Sequence, residues 1–390
     1  MTPAERRRQI DVLLVAFRDL WHPQPFREVR PAWCERWPAL AAEVLTLSEA
    51  AAEHLGNDCE AALLLLARHL PEVAAIADLA ALPRCPAAPV PDHGSRWAWE
   101  IPGRKRQQIE AFAAAARASG QPVLDWCGGK GHLGRLLALQ WQVGAASLDI
   151  DPVLCAAGEA LARRAGIAQD FIAADALAAG QEIHADQHVV ALHACGDLHR
   201  TLVCQAAAAG AAALDIAPCC YHRGVADFYQ PLTPSGMLRL SRDDTRLAVT
   251  ETVTASPRLA RKRDREMAWK LGFSALGQAV AGEDIYRPFK PVPAAWFAGS
   301  FADFIGLMAR RQGLALPSGL NLSECEQIGW RRQRDVMRLS VIRHAFRRAL
   351  EVWLVLDLAT YLEARGYEVS LGTFCQRQIT PRQILLSARH

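Results

Sequence analysis

The sequence lacks three features that would place it in common classes of protein. The apolar run near Leu350 to Ala359 is interrupted by Glu351 and Asp357, and no other run is long enough to span a bilayer. No apolar signal core follows the charges of the N-terminal segment, and no two cysteines form a C-x-x-C pair. We therefore expect a cytoplasmic protein with reduced cysteines, without a zinc ribbon, a membrane span or a secreted partner.

A large excess of charge is also missing. The 390 residues carry a net charge of +3, which permits a nucleic-acid partner without requiring one. This length predicts about two to three domains, and a chain of this size can bury a substantial core. The sequence does contain a glycine-rich segment in its first half and two local runs rich in arginine.

The glycine-rich segment, residues 120–134, has the pattern of a strand, a tight turn and a helix. A short apolar run ends at Asp125, three glycines follow within residues 128–131, and apolar residues then recur at helical spacing from Leu133. Glycine permits positive φ and lets a ligand approach the backbone, while the helix N-terminus offers free N–H groups. The segment is therefore a candidate turn for binding a nucleotide or a cofactor.

Three nucleotide-binding chemistries share this outline. A Walker A loop is excluded because Leu124 and Gly131 stand where it needs glycine and Ser or Thr. Gly129, Gly131 and Gly134 match the dinucleotide pattern G-x-G-x-x-G. The turn D-x-G-x-G-x-G of S-adenosylmethionine methyltransferases also fits from Asp125, with a cysteine in place of the first glycine. A carboxylate at Asp125 repels a pyrophosphate but attracts the ammonium and sulfonium groups of S-adenosylmethionine.

Short strands and helices alternate after this turn, which predicts a parallel sheet with helices on both faces. Asp149, near the end of the second strand, is placed to bind two ribose hydroxyls. Asp175, after the third strand, can accept from an adenine amino group, and Asp151 before Pro152 predicts a helix cap. The later strands are predicted at residues 145–150, 171–173, 188–193 and 212–217.

Polar or thiol side chains follow every one of these strands. Because the carboxyl ends of parallel strands meet at one edge of a sheet, we expect a single site there. A methyl transfer needs an acceptor held in line with the donor and, for a hydroxyl acceptor, a base. The candidate catalytic residues are Asp197, His193, His222 and Cys219.

The cysteines after the fifth strand allow more than one interpretation. Cys219 and Cys220 could contact substrate, or could bind zinc together with His222 and Cys195. The spacing of these residues does not match a closed zinc site, so no metal site is predicted. Cys219 is expected instead to pack beside the methyl donor as a small apolar residue.

The remainder of the chain predicts accessory regions and a terminal hairpin. A proline-rich segment, Pro83 to Pro91, is predicted to be a linker. Basic stretches at 258–265 and 331–348 are candidate RNA-binding surfaces. Apolar alternation at Tyr367 to Phe374 and Ile384 to Ala388 predicts an antiparallel hairpin. The predicted regions are helical N-terminal residues 1–92, a cofactor-binding core at 93–222, an insertion of possible substrate-binding role at 223–339, and a C-terminal helix and hairpin at 340–390.

With these motifs the chain resembles class I S-adenosylmethionine-dependent methyltransferases. It is most similar to the domain family shared by methyltransferase-like proteins and the eukaryotic tRNA acceptor-stem 2′-O-methyltransferase. The resemblance rests on D-W-C-G-G-K-G-H-L, L-H-A-C-G-D-L and A-P-C-C-Y-H, and on residues 340–390. It implies a Rossmann-like α/β sheet of seven strands, the last between the fifth and sixth, with S-adenosyl-L-methionine as cofactor. The implied cofactor-binding residues are Asp125, Cys127, Gly128, Gly129, Gly131, Asp149, Ile150, Asp175, Ala176 and His193.

These observations predict an enzyme that methylates an acceptor in RNA, of a tRNA-like kind. A protein side chain or a small molecule is the alternative acceptor. Two functions of other classes stay open, a NAD-dependent oxidoreductase and a binding module that keeps the fold without turnover. The literal G-x-G-x-x-G match permits the first of these.

Overall fold

The computed structural model describes residues 1–178, 182–234, 236–251, 256–281, 289–316 and 318–390. Residues 252–255 and 282–288 of the predicted insertion therefore lie outside the described residues. None of the described helices combines the length and the apolar character needed to cross a membrane.

The N-terminal part of the chain is helical, as its apolar spacing predicts. Ile10, Trp21 and Trp33 are buried. Ser48 and Asp58 accept backbone N–H groups, which fixes where the fifth and sixth helices begin. The helices are α1 (Pro3–Ala16), α2 (Arg18–Trp21), α3 (Trp33–Arg36), α4 (Pro38–Leu45), α5 (Glu49–Asn57), α6 (Cys59–Ala67) and α7 (Ala75–Ala80), with a 3₁₀ turn at Pro71–Ala74.

Strands and helices then alternate. After a 3₁₀ turn at Arg96–Ala98 come α8 (Gly103–Ala115), β1 (Val123–Trp126), α9 (His132–Trp141), β2 (Ala145–Asp149), α10 (Pro152–Ala165), β3 (Asp170–Ala173), β4 (His188–Cys195), α11 (Asp197–Ala209) and β5 (Ala213–Cys219). Strands β1 and β5 are buried at every position, as expected where helices cover both faces. Asp151 accepts from two N–H groups of α10, which confirms the predicted cap.

The last third of the chain adds helices and completes the sheet. Its elements are α12 (Arg242–Leu247), α13 (Pro257–Ala281), a 3₁₀ turn at Ala294–Phe297, α14 (Phe301–Gln312), α15 (Leu322–His344), α16 (Arg347–Glu363), β6 (Glu368–Thr373) and β7 (Ile384–Arg389). The seven described strands follow the order β3-β2-β1-β4-β5-β7-β6, with β7 antiparallel to both neighbours. This confirms the predicted seven-stranded α/β sheet with its last strand between the fifth and sixth.

The described chain divides into two compact units. Unit 1 contains the sheet and consists of Met1–Val15, Ile76–Thr254 and Arg347–His390. Unit 2 consists of Ala16–Ala75 and Ala255–Phe346. It therefore combines helices from the N-terminal region with helices from the predicted insertion. Its aromatic cluster includes Trp269, Phe297 and Phe304, with Phe297 and Phe304 stacked at a centroid distance of 5.0 Å.

A buried carboxylate explains one interruption in the apolar run of α16. Asp357 is fully buried in unit 1 and lies 3.0 Å from Arg7. It also accepts from the Tyr229 hydroxyl at 2.8 Å and from the backbone N–H of Leu232 at 2.8 Å. These bonds satisfy the charge and connect the segment after β5 to α16.

The sequence predicts a linker at the proline-rich segment, but Pro83 to Cys85 are paired with the end of β6. The Thr373 N–H donates to the Pro83 carbonyl at 2.8 Å, and the Cys85 N–H donates to the Thr373 carbonyl at 3.0 Å. Residue Arg84 thus forms a bridge to the end of β6. Proline lacks an N–H and is tolerated at a sheet edge, where it also blocks further strand addition.

Candidate active site

The turn between β1 and α9 is held in place by backbone and carboxylate bonds. The Gly128 N–H donates to the Leu148 carbonyl at 3.0 Å, and the Gly131 N–H donates to the Gly128 carbonyl at 3.0 Å. Gly129 and Gly131 have positive φ values of 58° and 64°, which glycine adopts without strain. The turn is therefore fixed before a ligand arrives.

Asp149, predicted to hold the ribose, lies directly beside this turn. One carboxylate oxygen accepts from the Gly129 N–H at 2.9 Å. The other accepts from the Asp151 N–H at 3.0 Å. Each oxygen has a second lone pair, so the carboxylate can still accept from two hydroxyl groups. Asp149 thus orients the turn and remains able to bind a ribose.

Asp125, predicted to face the methionine part, is more deeply buried than that role requires. Its side chain is 2% exposed and accepts from the Gly134 N–H at 3.0 Å and the Ser147 hydroxyl at 3.4 Å. Burial raises the pKa of Asp125 to about 6, against the opposing effects of the Gly134 bond and of Lys105. Asp125 therefore holds the start of α9 against β1. Because burial disfavours its charged form, a cation bound nearby would stabilise this carboxylate.

The turn glycines differ in what surrounds them. A methyl group on Gly131 would lie 2.4 Å from the Gln169 amide nitrogen, and one on Gly128 would lie 2.6 Å from Asp125. A methyl group on Gly129 would meet no protein atom within 4 Å. Gly128 and Gly131 are thus required by protein packing, whereas the Gly129 backbone faces open space that a ligand can occupy.

Two polar residues that support the turn are not among the sequence-predicted site residues. Arg135 is 1% exposed and donates to the carbonyls of Lys130 at 3.0 Å and Gly158 at 3.1 Å. The Gln169 amide donates to the Gly131 carbonyl at 2.8 Å. The signal for Arg135 is its place between apolar residues on the buried stripe of α9. Gln169 gives no local signal, because its role depends on strand pairing.

Lys105, on the first turn of α8, lies close enough to several site residues for its charge to act on them. Its charge acts on Asp125, His132, His193 and Cys219. Burial lowers the pKa of Lys105, and Asp125 opposes that change. Among the described residues its ammonium group has no hydrogen bond or ion pair, so it is available to an anionic ligand group.

The ends of β2 and β3 carry apolar side chains that are unusually exposed. Ile150 and Leu177 are 68% and 51% exposed. Between them in the chain, Asp175 accepts from the Leu177 N–H at 2.9 Å, while Ala176 is buried. Two exposed apolar side chains beside a carboxylate suit a flat heterocycle with an amino group, such as adenine.

The end of β4 places His193 near Lys105. His193 has a φ of 71°, a conformation that is uncommon for residues other than glycine and is enriched at functional sites. Burial lowers its pKa to about 4, with a further contribution from Lys105, so the ring is neutral at pH 7. Its Nδ1 atom is buried and has no hydrogen-bond partner among the described residues. A neutral, unpartnered imidazole can accept a proton.

The other two candidate bases have different surroundings. The Asp197 carboxylate lies against Gly224, where an added methyl group would approach it to 1.8 Å. His222 lies near Arg223, Arg242 and Arg246, and burial lowers its pKa. The Lys105 charge acts on His193.

The thiols also collect at these strand ends. Carboxylates Asp125, Asp149 and Asp175 all act on Cys127, and burial together with these charges raises its pKa to about 12. Cys127 is therefore a neutral thiol between the turn and the other strand ends. The Cys219 thiol lies 3.3 Å from the Cys195 sulfur and donates to the His193 carbonyl at 3.3 Å.

A family model described as a methyltransferase domain matches residues 104–225. The match begins in α8 beside Lys105 and ends just after β5, so it contains every carboxylate, histidine and cysteine of the candidate site described in this section. It favours the methyltransferase interpretation of the glycine-rich turn over the dinucleotide one. No curated protein matches the chain.

Solved structures of methyltransferases are similar to the chain at low identity. A TehB-like S-adenosylmethionine-dependent methyltransferase from Corynebacterium glutamicum is 17% identical, covering 28% of this chain and 60% of that chain, with a TM-score of 0.23. This chain thus spans less than two thirds of that structure. An O-methyltransferase family protein from Burkholderia thailandensis is 11% identical, covering 97% of this chain and 82% of that chain, with a TM-score of 0.31. The 23S rRNA methyltransferase ErmE is 16% identical, covering 60% and 97%, with a TM-score of 0.25.

These TM-scores are too low to support an argument about this chain. The methyltransferase interpretation rests instead on the family model, the strand order and the geometry of the site. The strand order has β7 between β5 and β6. The carboxylates collect beside a glycine turn at the carboxyl edge of the sheet, where such folds bind ligands. Residues 104–225 match the methyltransferase-domain model, and they lie in a described sheet whose strand order is that predicted for a class I methyltransferase.

Proposed function

We propose that this chain transfers a methyl group from S-adenosylmethionine to an acceptor in RNA, of a tRNA-like kind. The observation that carries the cofactor part is the arrangement of charge at the strand ends. The charges of three carboxylates act on the Cys127 thiol, and Lys105, which has no partner among the described residues, interacts with one of the three, Asp125. S-adenosylmethionine carries an ammonium, a sulfonium and a carboxylate, so its charges complement this site.

The cofactor would lie along the edge of the sheet in a defined direction. Its methionine carboxylate would reach Lys105, and its ribose would bind Asp149. Its adenine would lie between Ile150 and Leu177, with the amino group at Asp175. This direction places the sulfonium near the ends of β1 and β4, beside Cys127 and His193.

His193 is the base that this geometry favours for a hydroxyl acceptor. It is neutral at pH 7 because burial and Lys105 hold its pKa near 4. A protonated imidazole with so low a pKa is a strong acid, so proton transfer to His193 would be transient and would follow methyl transfer closely. The larger contribution is positioning, since the donor already carries an activated methyl group.

The proposal of RNA as acceptor rests on exposed positive charge in unit 2. Arg258 and Arg261 at the start of α13 are exposed and have no hydrogen bond or ion pair among the described residues. The second predicted basic stretch is less available than its sequence suggests. Arg338 and Arg343 donate to the carbonyls of Leu47 and Trp21. Residues 258–262 are therefore the part of the two stretches that we propose for phosphate contacts.

Transfer of tritiated methyl groups tests the proposed function. Calorimetric titration with S-adenosylmethionine and S-adenosylhomocysteine comes first, with NADH as the control ligand. Label is then followed into total RNA, protein and metabolite fractions. We expect label in RNA that decreases as salt is raised, because phosphate contacts release counterions. Label confined to protein or metabolites would overturn the RNA proposal. Absence of S-adenosylmethionine binding would overturn the proposed methyltransferase function itself.

Replacing Lys105 with methionine should weaken S-adenosylmethionine binding by about 10- to 100-fold. This is the range for losing a hydrogen bond between charged groups. Binding of 5′-methylthioadenosine, which has no amino-acid carboxylate, should be unchanged. Lys105→Arg should restore part of the affinity, and Lys130→Met is the matched control because Lys130 pairs with Glu100 at 2.8 Å. Equal losses for both ligands would show that Lys105 supports the fold rather than the carboxylate.

A further inference from the structure

Three thiols meet at the carboxyl ends of β4 and β5. Cys195 and Cys219 are paired residues of these neighbouring parallel strands, beyond an irregularity between Leu192 and Cys195. Their sulfur atoms are 3.3 Å apart. The Cys220 sulfur joins them, and the three sulfur atoms all lie within 4.8 Å of one another. Residues distant in the sequence thus bring three potential ligand atoms to one point.

The backbone is shaped in a way that produces this convergence. Adjacent residues of a strand point to opposite faces of the sheet, so Cys219 and Cys220 should diverge. Cys220 instead has a φ of 45°, in the left-handed region that residues other than glycine seldom adopt. His193 at the end of β4 has a φ of 71°. Both strands therefore turn at the points that direct the thiols together, and such conformations cluster where ligands bind.

The separations of the sulfur atoms suit a single metal ion. Zinc forms Zn–S bonds of about 2.3 Å, and a tetrahedral arrangement then separates its sulfur ligands by about 3.8 Å. Two of the sulfur atoms are 3.3 Å apart and no pair is more than 4.8 Å apart, so small side-chain shifts would bring all three to that separation. Three sulfur donors without oxygen donors favour zinc over magnesium or calcium. Cys195 and Cys220 are half-buried, so an ion can reach the group from solvent.

The fourth position is not filled by a nearby side chain. Among the described residues, no imidazole or carboxylate joins the three sulfur atoms within the same distance. The Nδ1 atoms of His193 and His222 are buried without a hydrogen-bond partner in the described part of the chain. Zinc sites with three protein ligands keep their fourth position for water or substrate. The location at the strand ends places that position beside the expected methyl donor.

We propose that Cys195, Cys219 and Cys220 bind one zinc ion as thiolates, with the fourth position open to water or to the methyl acceptor. Binding releases the three thiol protons and changes no oxidation state. A hydroxyl or thiol in the fourth position would have a lowered pKa, which supplies the deprotonation that methyl transfer to such an acceptor requires. This revises the expectation, drawn from residue spacing alone, that the chain has no metal site. The role in transfer rests on the proposed function, whereas binding of the ion does not.

Cobalt substitution tests the site directly. The full-length protein is reduced, freed of metal with a chelator and titrated with Co²⁺ under reducing conditions. We expect one equivalent to bind, with the sulfur-to-cobalt charge-transfer band and the visible bands of a tetrahedral thiolate site. One equivalent of Zn²⁺ should remove these bands, and wild-type protein purified without chelator should contain zinc.

The variants separate this site from the other cysteines. Cys220→Ser should reduce the charge-transfer intensity per bound cobalt by about one third, since one of three thiolates is lost, and should weaken binding at least about 100-fold. Cys204→Ser, half-buried on α11 and outside the group, should change neither. Because Cys219 is buried, cobalt binding by Cys219→Ser is interpreted only if circular dichroism shows that the variant is folded.

The outcomes distinguish this proposal from the proposed function. Binding of S-adenosylmethionine without tetrahedral cobalt bands would overturn the metal site and leave the methyltransferase function standing. Equal weakening by Cys220→Ser and Cys204→Ser, or binding of several equivalents, would identify nonspecific thiol binding and overturn the site as well. Cobalt binding without S-adenosylmethionine binding would support the metal site alone.

Discussion

Asp149→Ala is expected to lower the affinity for S-adenosylmethionine at least about 100-fold. The carboxylate accepts from the Gly129 N–H at 2.9 Å and the Asp151 N–H at 3.0 Å, and it is the group proposed to accept from both ribose hydroxyls. The substitution therefore removes the bonds to the ligand and releases the turn that the ligand contacts. Hydrogen bonds to a charged group contribute about 1.5–3 kcal/mol each, so two ribose bonds account for the expected loss.

The control for this prediction lies on the next strand. Asp170→Ala removes an exposed carboxylate from the start of β3, where the amino ends of the parallel strands lie, away from the carboxyl ends that carry the site. It should leave the affinity unchanged. Calorimetry with S-adenosylmethionine and with adenosine measures both variants, since adenosine retains the ribose. If Asp149→Ala binds adenosine as tightly as the wild type, the carboxylate orients the turn through Gly129 but does not bind the ribose.

Gly131→Ala is expected to destabilise unit 1 by about 3 kcal/mol or more and to abolish cofactor binding. The added methyl group would lie 2.4 Å from the Gln169 amide and 2.7 Å from the Ser147 hydroxyl, in a backbone conformation with a φ of 64°. Those partners are themselves hydrogen-bonded to each other at 2.8 Å, so neither can move freely. Overpacking of a fixed polar group and left-handed strain add here.

Two further glycines make this test specific. Gly120 has a φ of 78° with no atom within 4 Å of an added methyl group, so Gly120→Ala should show the strain alone, about 1–2 kcal/mol. Gly129→Ala should resemble Gly120→Ala in urea denaturation but should lose S-adenosylmethionine binding, because its methyl group enters the ligand space. A Gly131 variant no less stable than the Gly120 variant would contradict the packing argument.

Local signals predicted the core of the fold. Apolar runs ending in Asp125 and Asp149, the glycines between them and the Asp151–Pro152 cap each act within a few residues, so they can be recognised without knowledge of the tertiary structure. The rule that parallel strands present their carboxyl ends at one edge then places the carboxylates together. The terminal hairpin is predictable for the same reason, since apolar alternation marks each of its strands.

The remainder depends on contacts between distant residues. Sequence spacing argues against zinc at Cys195, Cys219 and Cys220, because known zinc patterns combine closely spaced pairs of ligands, whereas here pairing of β4 with β5 brings the thiols together. Lys105 is directed toward the site because of how α8 packs. In the sequence, the basic run Arg104 to Arg106 fits a solvated first turn of a helix equally well. The arginines of α15 look like a basic surface in the sequence, yet Arg338 and Arg343 donate to backbone carbonyls.

The order of the strands has a consequence for how the protein is made. Strand β7 lies between β5 and β6, so one edge of β5 stays unpaired until Ile384–Arg389 has been synthesised. Unit 2 likewise needs Ala255–Phe346 before the helices of Ala16–Ala75 can bury their apolar faces. Both units therefore expose aggregation-prone surface while the segments between their parts are synthesised. Nascent chains of this protein should depend on chaperones throughout synthesis, and loss of the final strand should be as damaging as loss of the cofactor-binding turn.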